Sequence, residues 1–119
     1  MKHRFVLLGL CILISCVKDD IKTGEMTITP DDSTIQSFVR TTGNHVNALK
    51  LSISGQITGT GQLSIGDSDS TFYRTYDLEQ GDITIAYDGD WYSEFCYLTY
   101  KPKTVTRGQL KMTADFKGD

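Results

Sequence analysis

The stretch GQLKMTADF alternates without a break. Leu110, Met112, Ala114 and Phe116 fall on one side, and Gln109, Lys111, Thr113 and Asp115 on the other. Only an extended strand puts every second residue on one face, because successive side chains leave the pleat in opposite directions. The same period returns in NALKLSISG, with Leu49, Leu51 and Ile53 together and Lys50 and Ser52 opposite. It returns again in DITIAY, where Ile83, Ile85 and Tyr87 share a face. A chain built this way must form half-buried sheets, each with one dry face.

The stretches between these runs set the strand count. EMTIT alternates around Met26 and Ile28 until Pro30-Asp31-Asp32 stops it. TIQSFVRTT is ambiguous: Ile35, Phe38 and Val39 fit one helical turn, while its Thr and Val content favours a strand. Gly43-Asn44 signals a turn. Gly55, Gly59 and Gly61 punctuate GQITGTGQLSIG, giving either two short strands around a tight Gly-Thr-Gly turn or one bulged strand. No helix-forming segment follows these glycines and no Lys stands at Walker spacing, so they do not read as a phosphate cradle. STFYRTYDL is a strand ended by Glu79-Gln80-Gly81, and Asp88-Gly89 is the strongest hairpin signal, leading into WYSEFCYLTY. The expectation is an all-β domain over residues 25–119. It is an antiparallel β-sandwich of about eight strands, mostly joined by hairpins, with sheets about 10 Å apart.

The N-terminus has a different logic. Lys2, His3 and Arg4 precede an apolar run from Phe5 to Ser15. As a helix that run spans about 16 Å, too short to cross a bilayer and the right size for a secretory signal. Leu13-Ile14-Ser15-Cys16 resembles the lipobox of bacterial lipoproteins, with Ile14 bulkier than usual there. The resemblance implies cleavage before Cys16, a diacylglycerol on its thiol and acylation of its amine. Cys11 cannot take that role, because too little of the apolar run precedes it. Lys18, Asp19 and Asp20 then look like the surface-export signal of Bacteroidota-type lipoproteins. An ordinary solvated linker is the simpler alternative. The expected organisation is a signal peptide over 1–15, a lipidated Cys16 with a polar tether over 16–24, and the β domain. The resemblance places the protein at the outer membrane, with the membrane as partner through the anchor. It favours the cell surface over the periplasmic face.

Cleavage there leaves ten basic and fifteen acidic residues, a net charge of −5. Nucleic acid is therefore excluded as a partner. Eight acids lie between Asp67 and Glu94, and five bases between Lys101 and Lys117, which reads most simply as cross-strand pairing. Cys96 is the one cysteine left in the domain, so no disulfide forms within it, and its apolar neighbours make it a buried small hydrophobe. Catalytic constellations are missing from the pattern. His45 sits beside a turn, no Ser lies in a G-x-S-x-G elbow, and nothing in their spacing selects Asp88 with Asp90 or Asp82 with Glu94 as an acid–base pair. GDSDS and DGD offer oxygens for calcium, but neither completes a twelve-residue loop. No enzyme activity, cofactor or metal is expected.

The aromatic residues carry the functional signal. Nine of the twelve fall between Phe72 and Tyr100, including every tyrosine and Trp91. One face of the strand after Trp91 must pack the core, and the other leaves rings toward solvent. The candidate binding residues are Trp91 and Tyr92 beside the Asp88 and Asp90 turn, then Tyr97. These imply a non-catalytic binding or adhesion module for a glycan or a protein. The alternative is a structural, accessory or immunity-type envelope lipoprotein that binds a partner protein.

Overall fold

The computed structural model describes residues 18–31, 33–42, 45–104 and 106–118. The expected signal peptide and the expected lipidation site at Cys16 lie outside the described residues. Eight strands form: β1 (Lys18–Ile28), β2 (Ile35–Arg40), β3 (Val46–Thr58), β4 (Gly61–Gly66), β5 (Phe72–Leu78), β6 (Gly81–Asp90), β7 (Phe95–Pro102) and β8 (Arg107–Gly118). They pair antiparallel into two four-stranded sheets, ordered β1-β8-β3-β6 and β2-β7-β4-β5. The chain is an antiparallel β-sandwich, as the alternation requires.

The connections correct the sequence reading. Among the described residues, β4 and β5 are the only consecutive strands that pair with each other; every other connection crosses from one sheet to the other. This strand order is that of a jelly roll, two interleaved Greek keys. The residues Gly59-Thr60 and Glu79-Gln80 are therefore crossovers, not hairpin turns. The same turn residues serve both, and hydrophobic period reports the inner face without reporting which sheet owns it.

Twenty buried hydrophobic side chains fill the space between the sheets. Leu49, Leu51, Ile53 and Ile57 of β3, with Leu110, Met112, Ala114 and Phe116 of β8 beside them in the same sheet, face Leu63 and Ile65 of β4 and Leu98 and Tyr100 of β7. Each fully buried aliphatic side chain contributes about 1.5–3 kcal/mol against its exposed state, so this layer dominates the stability. Tyr100 is buried whole, and its hydroxyl is satisfied by Thr106 Oγ1 at 3.2 Å. Gly61 makes room for it, since a Cβ there would stand 2.1 Å from the Tyr100 oxygen.

Two boundaries differ from expectation. The stretch read as a tether is already sheet from Lys18 onward, paired residue for residue with β8 as far as Lys18 with Gly118. Its pattern misleads because it is inverted: Ile21 points outward at 61% exposure, while Asp20, Lys22 and Gly24 take the inward parity. Asp20 is accommodated there by the Thr41 hydroxyl and by Lys22 at 3.6 Å. The Thr41 bond above all, with Lys22 beside it, holds the Asp20 carboxyl below the usual carboxylate range. Asp88-Gly89 is likewise no hairpin. Both residues sit inside β6, opposite Lys50 and Leu49, and Gly89 leaves space for the Tyr87 hydroxyl, which bonds the Asp90 carbonyl at 3.0 Å.

Candidate binding surfaces

The strands have two kinds of end. At one lie the start of β1, the ends of β2, β6 and β8, the starts of β5 and β7, and the β4–β5 loop. The chain passes from β6 to β7 there, and Trp91 is the plug. Only 2% exposed, its indole meets Tyr73 edge-to-face at 5.1 Å and Tyr87 at 5.8 Å, one ring from each sheet. Its N–H donates to the Phe95 carbonyl at 2.9 Å. Trp91 thus closes the core with its ring almost wholly buried, where the sequence reading expects the leading binding residue. Tyr92, the next residue, is 78% exposed.

Asp90, Trp91 and Tyr92 do share a pocket, with Tyr73, Arg74 and Tyr87. The Arg74 guanidinium stands 5.8 Å from the Tyr87 ring centre, and the Tyr73 hydroxyl donates to Asp67 Oδ2 at 2.6 Å. That bond, with partial burial, raises the Tyr73 phenol above its ordinary pKa. Asp88 lies apart on the outer face of the β1-β8-β3-β6 sheet, in register with Lys50.

Tyr97 belongs to a second surface, the outer face of the β2-β7-β4-β5 sheet. It stacks on Phe38 at 5.0 Å and 26°, and Phe95 touches both rings at 5.8 and 5.9 Å. The Arg40 guanidinium lies 5.1 Å over Phe95 and bonds Glu94 at 3.1 Å. Phe38 is 53% exposed at the centre of this cluster. Sequence reasoning missed it because a helical turn would have grouped Phe38 with Ile35 and Val39. Once β2 is a strand, Ile35 and Val39 turn inward and Phe38 must face out.

Other candidates resolve simply. Cys96 is buried, and burial pushes its thiol up to about 12. His45 is exposed just before β3. In the GDSDS loop the Ser68 hydroxyl accepts the backbone N–H of Thr71 at 3.0 Å. No group of three or more His, Cys, Asp or Glu side chains gathers among the described residues. Opposite charges do meet between distant segments, Lys103 with Asp77 at 3.0 Å being the shortest such pair. The opposite end of the sandwich carries an open groove bordered by Ile28, Pro30, Gln56, Ile57, Thr58 and Arg107, with no aromatic ring.

No protein-family model matches the chain, and no curated protein does. Chains of several solved structures match it, two of them as follows. One is a protein of the Bacillus endospore appendages, described as a novel family of disulfide-linked pili, with a TM-score of 0.51 at 13% identity over 87% of this chain and 89% of that one. The other is the Tobacco streak virus coat protein, with a TM-score of 0.41 at 8% identity over 83% of this chain and 86% of that one. At 13% identity the likeness to the pilus protein is one of fold.

Proposed function

We propose that this protein is a lipid-anchored lipoprotein of the outer membrane, displayed at the cell surface through Cys16, whose jelly-roll domain binds a partner protein without catalysis. The anchor rests on the order of cationic start, short apolar run and lipobox. The binding reading rests on one observation: Phe38, Phe95 and Tyr97 form an outward aromatic cluster that the core does not need, flanked by Arg40. Aromatic residues and Arg are the types enriched where protein partners bury surface. Phe38 and Tyr97 stack on each other, so their faces are largely occupied and an apolar protein surface suits them better than a sugar ring. The glycan reading has lost its best platform with Trp91. Disulfide linkage of the kind named for the pilus protein finds no support in Cys96, which is buried.

Two measurements test the reading. Metabolic labelling with a fatty acid should mark the wild type and not Cys16→Ser; a labelled Cys16→Ser variant would remove the anchor. A photo-crosslinking residue at position 38, on intact cells, should capture one protein partner, and Tyr97→Ala should weaken that capture. Crosslinks to no protein would leave the cluster without the role given to it.

A further inference from the structure

We infer that the domain stands upright on its bilayer, with the end that carries Tyr92 and Phe72 resting in the lipid headgroups and the open groove at the opposite end held away from the membrane. This rests on the lipidation of Cys16 proposed above. The first argument is chain length. β1 begins at Lys18, which is held in register with Gly118. Only Val17 stands between Cys16 and Lys18, two steps along the chain, and an extended chain covers at most about 3.6 Å per step. The anchor is therefore within about 7 Å of this end of the sheet, too near for the body to swing free. β1 then runs eleven residues away from it. At about 3.4 Å per residue that carries the far loops roughly 35 Å outward.

The second argument is independent of the anchor. Five large hydrophobic side chains are exposed among the described residues: Ile21, Phe38, Phe72, Tyr73 and Tyr92. All five lie in the half of the sandwich nearest Lys18. Ile21 is four residues into β1, Phe38 two from the end of β2, Phe72 and Tyr73 open β5, and Tyr92 sits in the β6–β7 crossover. The far loops hold Thr29, Pro30, Thr60, Glu79, Gln80 and Lys103 instead. Tyrosine, with an apolar ring and a polar tip, suits the boundary between headgroup and acyl chain. Acidic residues at the same end (Asp20, Asp67, Asp69, Asp90, Glu94 and Asp115) outnumber the bases Lys22, Arg40, Arg74 and Lys117, so the contact is apolar insertion and not attraction to anionic lipid. The Phe38–Tyr97 cluster then lies on the side wall just above the bilayer, facing a partner that is itself at the membrane.

The test uses the full lipidated protein in phosphatidylcholine vesicles containing doxyl-labelled lipid. Fluorophores are attached at Tyr92→Cys and Phe72→Cys near the anchor, at Glu79→Cys and Lys103→Cys at the far end, and at Thr84→Cys on the wall. Cys96 stays unlabelled because its thiol is buried. Quenching several-fold stronger at 72 and 92 than at 79, 84 and 103 is the expected result. Equal, weak quenching at all five sites, or strongest quenching at 84 or at the far end, would overturn the upright orientation while leaving the anchor intact. An intact mass with Cys16 unmodified would overturn both.

Discussion

The outward faces of the two sheets obey different rules. On β1-β8-β3-β6 the register stacks Ile21, Asp115, Lys50 and Asp88 in one row, and Glu25, Lys111, Ser54 and Thr84 in another. Apart from Ile21 at its β1 edge, charges alternate in sign, and the face is what water requires of a sheet. On β2-β7-β4-β5 one row is equally polar: Gln36 bonds Thr99 at 2.9 Å and Ser64 meets Thr75 at 3.0 Å. The neighbouring row is Phe38 beside Tyr97, with Phe95 adjoining. Both sheets bury similar inner faces, so folding does not account for the difference. It points to contact with something other than water.

If neither outward face is needed for folding, the largest stability loss must come from between the sheets. Leu51→Ala removes a buried side chain from the middle of β3, where neighbours on β6 and β8 cannot close the gap. Such truncations cost about 2–5 kcal/mol. In a domain this size that lowers Tm by about 4–8 °C per kcal/mol. A urea titration that found Leu51→Ala milder than Phe38→Ser would break the comparison at its root. Gly61→Ala is expected next, at about 1–3 kcal/mol of overpacking, because the new methyl meets the Tyr100 hydroxyl. Gly61→Ala in a Tyr100→Phe background should recover part of the loss.

How much of this was legible beforehand divides along the same line. The inner faces were readable, because burial selects Leu49, Leu51, Ile53, Leu110 and Met112 at every second position. Strand number and sandwich class followed. The jelly-roll order was not readable: a two-residue link such as Gly59-Thr60 has the same residues whether it turns within a sheet or crosses between sheets. The start of β1 was hidden by its inverted pattern, with Asp20 inward and Ile21 outward. For the candidate surface, Tyr92 is picked out by its place beside the Asp88–Asp90 turn and Tyr97 as an aromatic on the strand after Trp91, and the structure leaves Tyr92 exposed and Tyr97 on the outer face. The burial of Trp91 was not legible, because it lies in a crossover, where parity gives no information and the need to plug the core decides.

The comparison sharpens with paired substitutions on the two outward faces. Phe38→Ser and Lys50→Ser should each shift stability by no more than about 1.5 kcal/mol, the scale of an aromatic pair. They should part company in binding. The Kd for the captured partner, measured with the purified domain, should rise at least tenfold, about 1.4 kcal/mol, for Phe38→Ser and stay level for Lys50→Ser. Equal losses for both would mean that the partner reads the whole sandwich and not the aromatic face.

The smallest effect expected is on pH. Asp77 sits on the polar side of the aromatic sheet, and the Lys103 ammonium first, then the Gln62 amide, hold its carboxyl below the usual value. A depressed folded pKa adds stability above the unfolded value and loses it as pH falls through the folded one. Asp77 is exposed, so the contribution is slight and salt-sensitive. Melting curves for wild type and Asp77→Asn should therefore differ a little at neutral pH and low salt, and converge below about pH 3 or at about 1 M salt. Asp20, tied to Thr41 and Lys22 near the start of β1, has the same sign, so Asp20→Asn should follow the same course. Convergence on raising the pH instead would show that these carboxylates are not the groups whose charge the fold uses. The polar rows, like the aromatic one, would then need an explanation outside the domain.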